Sequence, residues 1–327
     1  MHKHGIKIIG TGHCLPKFVV RNDDFSAFLE TDDEWISSRT GIKQRHFNIG
    51  GSNHAMSSVA AREAIVSAGI SPDEIDMVVA STSTPDYFYP SLSCLVQGAV
   101  GAVNAFAIDV ASACTGFVNA LDIARNYLAT GSAKTVLVVA GEMVSRQVDF
   151  TDRASCVLFG DGAGAIVVQA ADKPYASYLG AAGESVDDMA ICFEVDYRSN
   201  NPFDKGGKQD IKSTLAIQGK GVYKFATEIM PKAVHAVCDK AGVNLSEIDL
   251  LIPHQANIRI ISTALKGIDI EKEKVYTNIE ATGNVSSACI PICLDELNRA
   301  GKLKSGMKLC LVAFGGGLTY GSIIMEL

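Results

Sequence analysis

The 327-residue chain has no apolar run near the ~20 residues that a membrane-spanning helix needs, although 47% of its residues are hydrophobic. Its longest apolar segments, 136–140 and 309–314, have the length of buried strands. The first residues lead straight into a strand pattern at 6–9, without the regions of a signal peptide. These absences predict a cytoplasmic protein with no membrane partner.

The chain also lacks the cysteine spacings of a disulfide framework or a structural metal site. Its nine cysteines are an odd number without a CxxC pair, and its histidines have no partners at zinc-ligand spacing. A reducing compartment and no bound metal are therefore expected. The net charge of −7 argues against a nucleic-acid partner, and an acidic protein partner would require a local basic patch.

Neither of two glycine-rich segments has the spacing of a dinucleotide-binding loop. Gly10 and Gly12 follow the first predicted strand, but the third glycine of the G-x-G-x-x-G pattern would fall at Leu15. Residues 160–164 also lack that spacing and are better explained by close packing into the strand predicted at 165–168. These motifs therefore indicate no dinucleotide cofactor.

What the sequence does contain is an internal repeat with an offset of 173 residues, since 241 − 68 = 173. Residues 68–79 resemble residues 241–252, and the same offset carries the apolar run 136–140 onto 309–313. Within each copy, helical patterns alternate with short β-branched runs. Such alternation predicts mostly parallel sheets that are buried on both faces.

The repeat divides the chain into two α/β halves, 1–172 and 173–327. With helices outside and small residues between the two sheets, we predict a five-layer αβαβα arrangement. One segment, 184–213, has no counterpart in the other half and is polar and rich in Gly, Asn and Asp. A loop this long in a compact domain is usually a functional lid or a mobile element.

Cys114 stands where a buried-strand pattern, 105–110, gives way to small residues and then to a helical pattern, 117–128. In the first turn of a helix, unpaired N–H groups and the helix dipole both favour the thiolate. Because the thiolate is the nucleophilic form, Cys114 is a candidate for covalent catalysis. The alternative is a buried structural cysteine, which is the usual role of a free cysteine.

Three distant segments supply candidate partners for this thiol. His254 follows the strand predicted at 250–252, at the end where active sites of α/β sheets gather, although a simple turn histidine is the alternative. Asn284 follows a glycine, as in ordinary turns, but the repeat places it near the counterpart of the Cys114 region. The glycines at 315–317 predict a tight turn, and a backbone N–H there could face a developing oxyanion.

Trp35 is the only tryptophan and lies four residues before Arg39. Packing on a helix face explains it as well as stacking on a flat ligand does. In the second case Arg39 would lie beside an anion.

Together and in this order, the motifs resemble the β-ketoacyl-acyl-carrier-protein synthase III family, the FabH type, over essentially the whole chain. Any one motif is moderately specific, and their ordered combination is highly specific. The resemblance implies the thiolase-like fold, in agreement with the repeat. The segments that carry it are TDDEWI (31–36), RTGI (39–42), CTGF (114–117), TDR (151–153), FGDGAG (159–164), PHQAN (253–257), GN (283–284) and FGGGLTYG (314–321).

The resemblance implies a catalytic triad of Cys114, His254 and Asn284. Cys114 would take an acyl group from acyl-CoA as a thioester, and malonyl-carrier protein would then lose CO₂ and attack that thioester to initiate fatty-acid synthesis. His254 and Asn284 would stabilise the enolate, while the backbone N–H groups of Cys114 and Gly316 would form the oxyanion hole. Both acyl donors are substrates, so no cofactor is implied.

The resemblance also implies binding residues for coenzyme A. Trp35 and Arg153 match the positions that sandwich the CoA adenine. The remaining matches are Thr31 and Arg39 to nucleotide contacts and Asn257 to a residue near the pantetheine.

Lys224 and Arg259 match the family's basic patch, which receives the acidic carrier protein. The family is homodimeric, and an aromatic residue of the partner subunit helps to close the primer pocket, near which Tyr89 falls. The chain departs from the family's more usual residues at Thr115, at Lys220 with Gly221, and at Tyr89, where phenylalanine is common.

Two alternative functions were weighed against this one. Family offshoots in secondary metabolism, of quinolone or polyketide type, use the same triad with another acyl donor or acceptor. A non-catalytic subunit that only binds carrier protein is disfavoured, because it could lose the nucleophile freely.

Three related enzyme classes are disfavoured by single positions. 3-Hydroxy-3-methylglutaryl-CoA synthase has a carboxylate near residues 82–84, where this sequence has none. Ala313 replaces the second cysteine of thiolases, and Asn284 disfavours the synthases with two histidines. We therefore expect a cytoplasmic, homodimeric condensing enzyme whose primer is left open.

Overall fold

The computed structural model describes residues 5–183, 190–193 and 214–327, so that most of the long segment 184–213, with its predicted lid, lies outside the described residues. Within the described ranges no helix is both long and apolar enough to cross a membrane. The strands are β1 (Gly5–Cys14), β2 (Phe18–Arg21), β3 (Gln44–Phe47), β4 (Met77–Ser81), β5 (Phe106–Val110), β6 (Thr135–Met143), β7 (Asp161–Ala171), β8 (Tyr175–Ala181), β9 (Ile191–Cys192), β10 (Ala216–Ile217), β11 (Leu250–Pro253), β12 (Lys308–Gly315) and β13 (Thr319–Glu326). The helices are α1 (Asp33–Thr40), α2 (Asn53–Ala68), α3 (Leu92–Val100), α4 (Gly116–Ala129), α5 (Gly219–Ala241), α6 (Ile258–Ile268), α7 (Ile279–Thr282) and α8 (Cys289–Arg299).

Two central sheets have the strand orders β1-β7-β6-β4-β5 and β11-β12-β13-β8. Strand β4 runs parallel to β5 and β6, and β11 runs parallel to β12. The other pairings in these sheets are antiparallel. The prediction of mostly parallel sheets was therefore wrong. Strands β7 and β13 return from the preceding strand through a loop, and only a crossover connection makes two successive strands parallel.

Helices cover both faces of each sheet. Helices α2 and α3 pack on the outer face of the first sheet, α4 and α8 lie between the two sheets, and α5 with α6 packs on the outer face of the second. The middle layer is apolar, since Phe117 and Leu121 on α4 and Leu294 on α8 are fully buried. The predicted five-layer α/β arrangement is confirmed.

The repeat is visible in the backbone. The 3-10 turn Ala113–Thr115 precedes α4, and the turn Ser286–Ala288 precedes α8, at the same offset of 173 residues, since 286 − 113 = 173. Both turns begin with a non-glycine residue in the left-handed region, Ala113 at φ 44° and Ser286 at φ 48°. Cys114 and Ser287 therefore occupy equivalent positions in two turns that contact each other.

The two halves are interlocked, because α8 of the second half packs against β1 and β7 of the first. Strand β7 ends at Ala171 and β8 begins at Tyr175, which brackets the predicted boundary at 172. The division into 1–172 and 173–327 stays a prediction about repeated units.

Local sequence fixes the helices that border the site. The Asp32 side chain accepts a hydrogen bond from the Trp35 backbone N–H at 2.6 Å and so begins α1, which Gly41 ends at φ 78°. Asn257 begins α6 in the same way, by accepting from the Arg259 N–H at 2.8 Å. These caps fix where Trp35 and Arg259 leave the backbone.

Candidate active site

A cavity of about 890 Å³ brings the predicted catalytic residues together. Cys114, His254, Asn284 and Gly316 all line it, although 202 residues separate the first from the last (316 − 114). Most of its remaining wall is apolar, from Val144, Val157, Leu158, Phe159, Leu215, Ile217 and Phe314. A thiol, an imidazole and an amide thus share one mostly apolar chamber.

Cys114 lies in the 3-10 turn that leads into α4, as the sequence predicted. Its sulfur lies 3.5 Å from the Ser286 hydroxyl oxygen. The backbone of β12 approaches it closely, because a Cβ added at Gly315 would lie 2.8 Å from the Cys114 nitrogen. A glycine is therefore required at position 315 for this approach.

At this helix start, burial opposes the effect of the helix dipole on the Cys114 thiol. Burial raises the pKa of the Cys114 thiol from 9.0 to about 12, the Ser286 hydrogen bond opposes the rise, and Glu142 adds to it. Three pKa units correspond to about 4 kcal/mol, whereas a helix N-terminus contributes at most ~2 kcal/mol. Burial prevails, so Cys114 is a thiol whose proton must leave when the sulfur attacks.

His254 follows β11 and is 1% exposed. Its backbone N–H donates to the Val312 carbonyl at 2.8 Å, and its ring packs edge-on against Phe314 with a centroid distance of 5.6 Å. The Nδ1 atom has no hydrogen-bond partner among the described residues. Burial lowers the pKa of His254 to about 3, so the ring is neutral near pH 7 and holds one N–H to donate.

The turn that carries His254 is held by Gln255. Its Nε2 donates to the Pro253 carbonyl at 2.7 Å, and its Oε1 accepts from the Asn278 N–H at 3.1 Å. These bonds connect the end of β11 to the segment that leads to Asn284. The imidazole and the amide are thereby positioned by one buried side chain.

The orientation of the Asn284 amide follows from its partners. Its Oδ1 accepts from the Ser286 backbone N–H at 2.9 Å, and only an oxygen can accept from an N–H. The backbone of Asn284 is fixed by bonds to Leu158 and Gly160 at 2.9 and 3.0 Å. Its NH₂ end is therefore the end that is left to face a ligand.

Gly316 lies in the tight turn between β12 and β13, where the sequence predicted it. Its carbonyl oxygen accepts from the Thr319 hydroxyl at 3.1 Å. The turn borders the cavity beside Cys114, because Gly315 and Gly316 both line it. The role of the Gly316 N–H in an oxyanion hole stays a prediction.

Trp35 and Arg39 lie at the mouth of this cavity, with Lys220 and Arg259. The guanidinium carbons of Arg39 and Arg153 lie 4.5 and 4.6 Å from the centroid of the Trp35 ring. These are direct cation–π contacts, which leave no space for a base between Trp35 and Arg153. The predicted sandwich is therefore closed in this structure, and the exposed Arg153, which donates to the Glu30 carbonyl, has to swing away before a base can enter.

Three other predicted residues lie outside the cavity lining. Thr31 does not line it, and its Oγ1 is buried without a hydrogen-bond partner among the described residues. Lys224 is exposed on α5, in the helix whose start borders the mouth. Tyr89 is 89% exposed and does not reach the cavity of its own chain, so a primer-pocket role would require a second subunit.

The sequence analysis missed Glu142, a carboxyl group that is 0% exposed near the end of β6. It accepts hydrogen bonds from the hydroxyl of Ser287 at 2.6 Å and of Thr84 at 2.9 Å, and from the Ser83 N–H at 3.1 Å. The signal was an acidic residue in an otherwise apolar strand, since a buried charge is retained only with partners or a function.

Glu142 also weakens one exclusion made from sequence. We disfavoured 3-hydroxy-3-methylglutaryl-CoA synthase because no carboxylate stands within residues 82–84, yet the fold brings the Glu142 carboxylate to Ser83 and Thr84. That argument fails, so the assignment depends on the other motifs and on the comparisons.

Among the described residues no cluster of His, Cys, Asp or Glu could hold a metal ion.

Comparison with known proteins identifies the family. A family model described as 3-Oxoacyl-[acyl-carrier-protein (ACP)] synthase III matches residues 108–185, and a model of the same family's C terminal matches residues 238–327. A curated protein named beta-ketoacyl-[acyl-carrier-protein] synthase III, from Clostridium acetobutylicum, is 42% identical over 325 residues and is covered to 99%, as is this chain.

Solved structures agree with the family models. A crystal structure of 3-oxoacyl-[acyl-carrier-protein] synthase III from Aquifex aeolicus superposes with a TM-score of 0.90 at 40% identity, over 99% of this chain and 100% of that one. The priming beta-ketosynthase from the R1128 polyketide biosynthetic pathway gives a TM-score of 0.88 at 32% identity, over 98% of this chain and 96% of that one. The chain therefore belongs to the 3-oxoacyl-[acyl-carrier-protein] synthase III family, acyl-transferring condensing enzymes of fatty-acid synthesis with the thiolase-like fold.

Proposed function

We propose that this enzyme condenses an acyl group from acyl-CoA with malonyl-carrier protein, in the step that begins fatty-acid synthesis. The observation that carries the proposal is the shared cavity of Cys114, His254, Asn284 and Gly316. Each of these groups has a role in a two-stage acyl transfer, and the mouth of the cavity has the charge that both donors require.

In the first stage the Cys114 sulfur attacks the thioester carbonyl of acyl-CoA. The S–C bond to Cys114 forms, the C–S bond to coenzyme A breaks, and the thiol proton ends on the coenzyme A sulfur. The N–H groups of Cys114 and Gly316 stabilise the negative oxygen of the tetrahedral intermediate. One such donor is worth on the order of 10²–10³ in rate.

In the second stage malonyl-carrier protein enters and loses CO₂. The malonyl carboxylate leaves water for a largely apolar cavity, and its charge moves to the thioester oxygen as the C–C bond to CO₂ breaks. His254, with its one N–H, and the NH₂ of Asn284 hydrogen-bond that oxygen. The resulting carbanion attacks the Cys114 thioester, the C–S bond to Cys114 breaks, and the 3-oxoacyl-carrier protein leaves. Cys114 departs as a thiolate and takes a proton from water to restore the thiol.

Coenzyme A and the carrier protein approach the same mouth. Arg39, Lys220 and Arg259 there are exposed, and Lys224 lies one helical turn beyond Lys220. These cations suit the phosphates of coenzyme A and the acidic surface of a carrier protein, against a net charge of −7 for the whole chain. Trp35 and Arg153 take the adenine after Arg153 moves, Thr31 lies beside the nucleotide, and Asn257 lies beside the pantetheine.

The working enzyme is a cytoplasmic homodimer in this proposal. The exposed segment with Tyr87, Phe88 and Tyr89, which are 55, 64 and 89% exposed, is an apolar surface that a second subunit would cover. Tyr89 then closes the primer pocket of the partner. Size-exclusion chromatography with light scattering measures this directly, and a monomer at micromolar concentration would remove Tyr89 from the pocket.

The experiment that tests the reaction is intact-protein mass spectrometry after incubation with acyl-CoAs of different length and branching. A mass gain that disappears in Cys114→Ala establishes the acyl-enzyme, and the group that loads fastest identifies the primer class. Addition of malonyl-carrier protein should then release a 3-oxoacyl product. Product formation by Cys114→Ala would remove Cys114 from the mechanism.

A second candidate is the priming condensation of a polyketide pathway, which the R1128 priming ketosynthase favours as a structural relative. The same experiment separates the two, because a polyketide-type enzyme would discriminate among carrier proteins at the second stage. A protein that loads no acyl group from any donor, yet binds carrier protein, would be a non-catalytic subunit.

A further inference from the structure

Thr115 directly follows the nucleophile and departs from the residues more usual in the family. It is 0% exposed, so its hydroxyl needs partners inside the protein. The hydroxyl oxygen lies 2.8 Å from that of Thr319 and 3.1 Å from that of Ser112. Thr319 also lies 3.1 Å from the Gly316 carbonyl oxygen, to which it donates. Hydrogen bonds therefore connect the residue after Cys114 to the turn that carries the second proposed oxyanion donor.

The direction of these hydrogen bonds follows from the groups at the two ends. At one end the Asn119 Nδ2 donates to the Ser112 hydroxyl oxygen at 2.7 Å, and an amide nitrogen can only donate. At the other end the Gly316 carbonyl can only accept. Between them each hydroxyl accepts from one neighbour and donates to the next, in the order Asn119, Ser112, Thr115, Thr319, Gly316. Hydrogen bonds aligned in one direction polarise and strengthen one another.

The Ser112 carbonyl is a competing acceptor, since its oxygen lies 2.7 Å from the Thr115 hydroxyl oxygen. That carbonyl already accepts from the Thr115 backbone N–H at 3.1 Å. If the Thr115 hydroxyl donated to it, Thr319 would have to donate to Thr115, and the Gly316 carbonyl would lose the Thr319 donor. The aligned order gives each hydroxyl and the Gly316 carbonyl a partner.

The repeat separates this contact from the folding of the turn itself. Ala288 is the counterpart of Thr115, since 115 + 173 = 288. The turn Ser286–Ala288 has the same 3-10 form as Ala113–Thr115 and the same left-handed first residue, at φ 48° and 44° respectively. An alanine is thus sufficient for this turn, so the Thr115 hydroxyl serves a contact outside it.

Gly316 depends on such a contact, because its own chain restrains it weakly. It is followed by a second glycine, and glycines have the widest choice of backbone conformations. The register of β12 with β13 ends at the pair Gly315 and Thr319, so Gly316 lies beyond the last paired residue. The bond from Thr319 to the Gly316 carbonyl fixes this residue and with it the direction of its N–H.

We propose that Thr115 is a positioning residue, which acts through Thr319 to hold the Gly316 N–H at a fixed place relative to the Cys114 N–H. The two N–H groups come from different halves of the chain, and the bond between Thr115 and Thr319 joins the turns that carry them. An oxyanion hole works because its donors are aligned before the charge develops, so this bond should matter when the carbonyl oxygen becomes negative. The inference rests on the proposed oxyanion role of these two groups.

Two reactions of the Cys114 sulfur separate this role from general support of the nucleophile. Acyl loading from acyl-CoA passes through a negative carbonyl oxygen and needs both donors. Alkylation by iodoacetamide displaces iodide from a saturated carbon and forms no oxyanion. Both rates are measured by intact-protein mass spectrometry at one pH, the first of them over a range of acyl-CoA concentrations.

Thr115→Val removes the hydroxyl with little change of shape. Its maximal rate of acyl loading should fall by about tenfold, which is less than the loss on the order of 10²–10³ for a missing donor, because Gly316 is loosened and not removed. The acyl-CoA concentration at half-maximal rate and the alkylation rate should keep their wild-type values. Equal losses in loading and alkylation would show that Thr115 supports Cys114 and would overturn the proposal, as would unchanged loading.

Two variants guard this result against a trivial cause. Thr115→Ser keeps the hydroxyl and should load acyl groups near the wild-type rate, whereas a loss as large as in Thr115→Val would assign the effect to the methyl group and contradict the proposal. If Thr115→Val does not fold, Thr115→Ala carries the same prediction, because the counterpart turn already holds an alanine at Ala288.

Thr135→Val is the matched control. Thr135 is buried, its hydroxyl accepts from Gln169 at 3.1 Å, and it lies at the start of β6, outside the cavity lining. Both rates should stay at wild-type values. Slower loading with unchanged alkylation in this variant would show that the loss of any buried threonine hydroxyl has this effect, and the case for Thr115 would fail.

Thr319→Val tests the order of the chain. It removes the donor to Gly316 itself, so loading should fall at least as far as in Thr115→Val, again with unchanged alkylation. The double variant should load no more slowly than Thr319→Val alone, because Thr115 acts only through Thr319. Losses that multiply in the double variant would mean independent effects and would refute the chain.

Failure of the proposed function is distinguishable from failure of this inference. The first appears as a wild type that gains no acyl group through Cys114 from any acyl-CoA. The second appears as a wild type that loads and a Thr115→Val variant that loads equally fast.

Discussion

Gly315→Ala should disable the nucleophile while leaving the substrate mouth unchanged. The added Cβ would lie 2.8 Å from the Cys114 nitrogen and 3.1 Å from its Cβ, whereas ordinary contacts begin near 3.4 Å. Either β12 or the Cys114 turn must move by about 0.6 Å to relieve the first contact. The Cys114 N–H is one of the two proposed oxyanion donors, so this movement misaligns the donor and the sulfur together.

A misplacement approaching 1 Å at reacting groups costs about 10²-fold in rate, and loss of one oxyanion donor costs on the order of 10²–10³. We therefore expect acyl loading of Cys114 to slow by about 10²-fold. The overpacking should also lower the free energy of unfolding by about 1–3 kcal/mol. Stopped-time mass spectrometry of the acyl-enzyme gives the first quantity, and thermal denaturation gives the second.

Gly98→Ala is the matched control, because Gly98 lies within α3 and a Cβ there meets no atom within 4 Å. It should load acyl groups at the wild-type rate and gain up to ~1 kcal/mol of stability from helix propensity. If Gly315→Ala folds and loads as fast as Gly98→Ala, the close approach of β12 to Cys114 has no part in catalysis, and the oxyanion assignment is refuted.

Two further results are expected. Trp35→Ala should raise KM for acyl-CoA about tenfold, as expected for ~1.4 kcal/mol of lost stacking, and leave KM for malonyl-carrier protein unchanged; equal KM values for acyl-CoA would remove Trp35 from the nucleotide site. Asp295→Asn should destabilise the fold by about 3 kcal/mol at neutral pH, because buried Asp295 accepts from His13 Nδ1 at 2.5 Å and Arg299 Nε at 2.6 Å. These partners lower the pKa of Asp295 against the effect of burial, so its contribution is present above the usual Asp pKa and is lost as pH falls through the folded value. Denaturation of the wild type and of Asp295→Asn over a pH series measures the difference between their free energies of unfolding. A difference that stays constant down to about pH 3 would contradict the prediction.

The hydrophobic patterns predicted several helices and strands, because the buried face of such an element is recorded in the spacing of apolar residues that are close in sequence. The strand predicted at 105–110 is β5, Phe106–Val110, and the helix predicted at 117–128 is α4, Gly116–Ala129. The order of the motifs and the repeat also predicted which residues would meet, since Cys114 and Asn284 reach one cavity. Local pattern and internal repetition were sufficient for these features.

Features that depend on surroundings were not predictable in this way. The Cys114 pKa is set by desolvation from both halves and by Glu142, none of which adjoins it in sequence. The prediction of strand direction was wrong for the same reason. The residues of β7 and β13 have the pattern of any buried strand, and their antiparallel direction depends on the connection that precedes them. The closed contact between Trp35 and Arg153 depends on where the exposed Arg153 side chain lies against the half-buried Trp35, which the motifs do not specify.

The repeat relates the acidic residue Glu142 to the glycine that approaches the nucleophile, since 142 + 173 = 315. Two equivalent turns face each other, and a catalytic centre needs the thiol in only one of them. The other turn carries Ser287. Position 315 requires a glycine because its backbone lies against Cys114, whereas the equivalent position 142 holds a glutamate whose side chain bonds Ser287. Glu142 belongs to the same half as Cys114 and bonds a serine of the second half, just as Gly315 of the second half approaches Cys114 of the first. On this reasoning the surroundings of Cys114 are built from both halves, because Gly315, which approaches its backbone, and Ser286, whose hydroxyl lies 3.5 Å from its sulfur, both come from the second half.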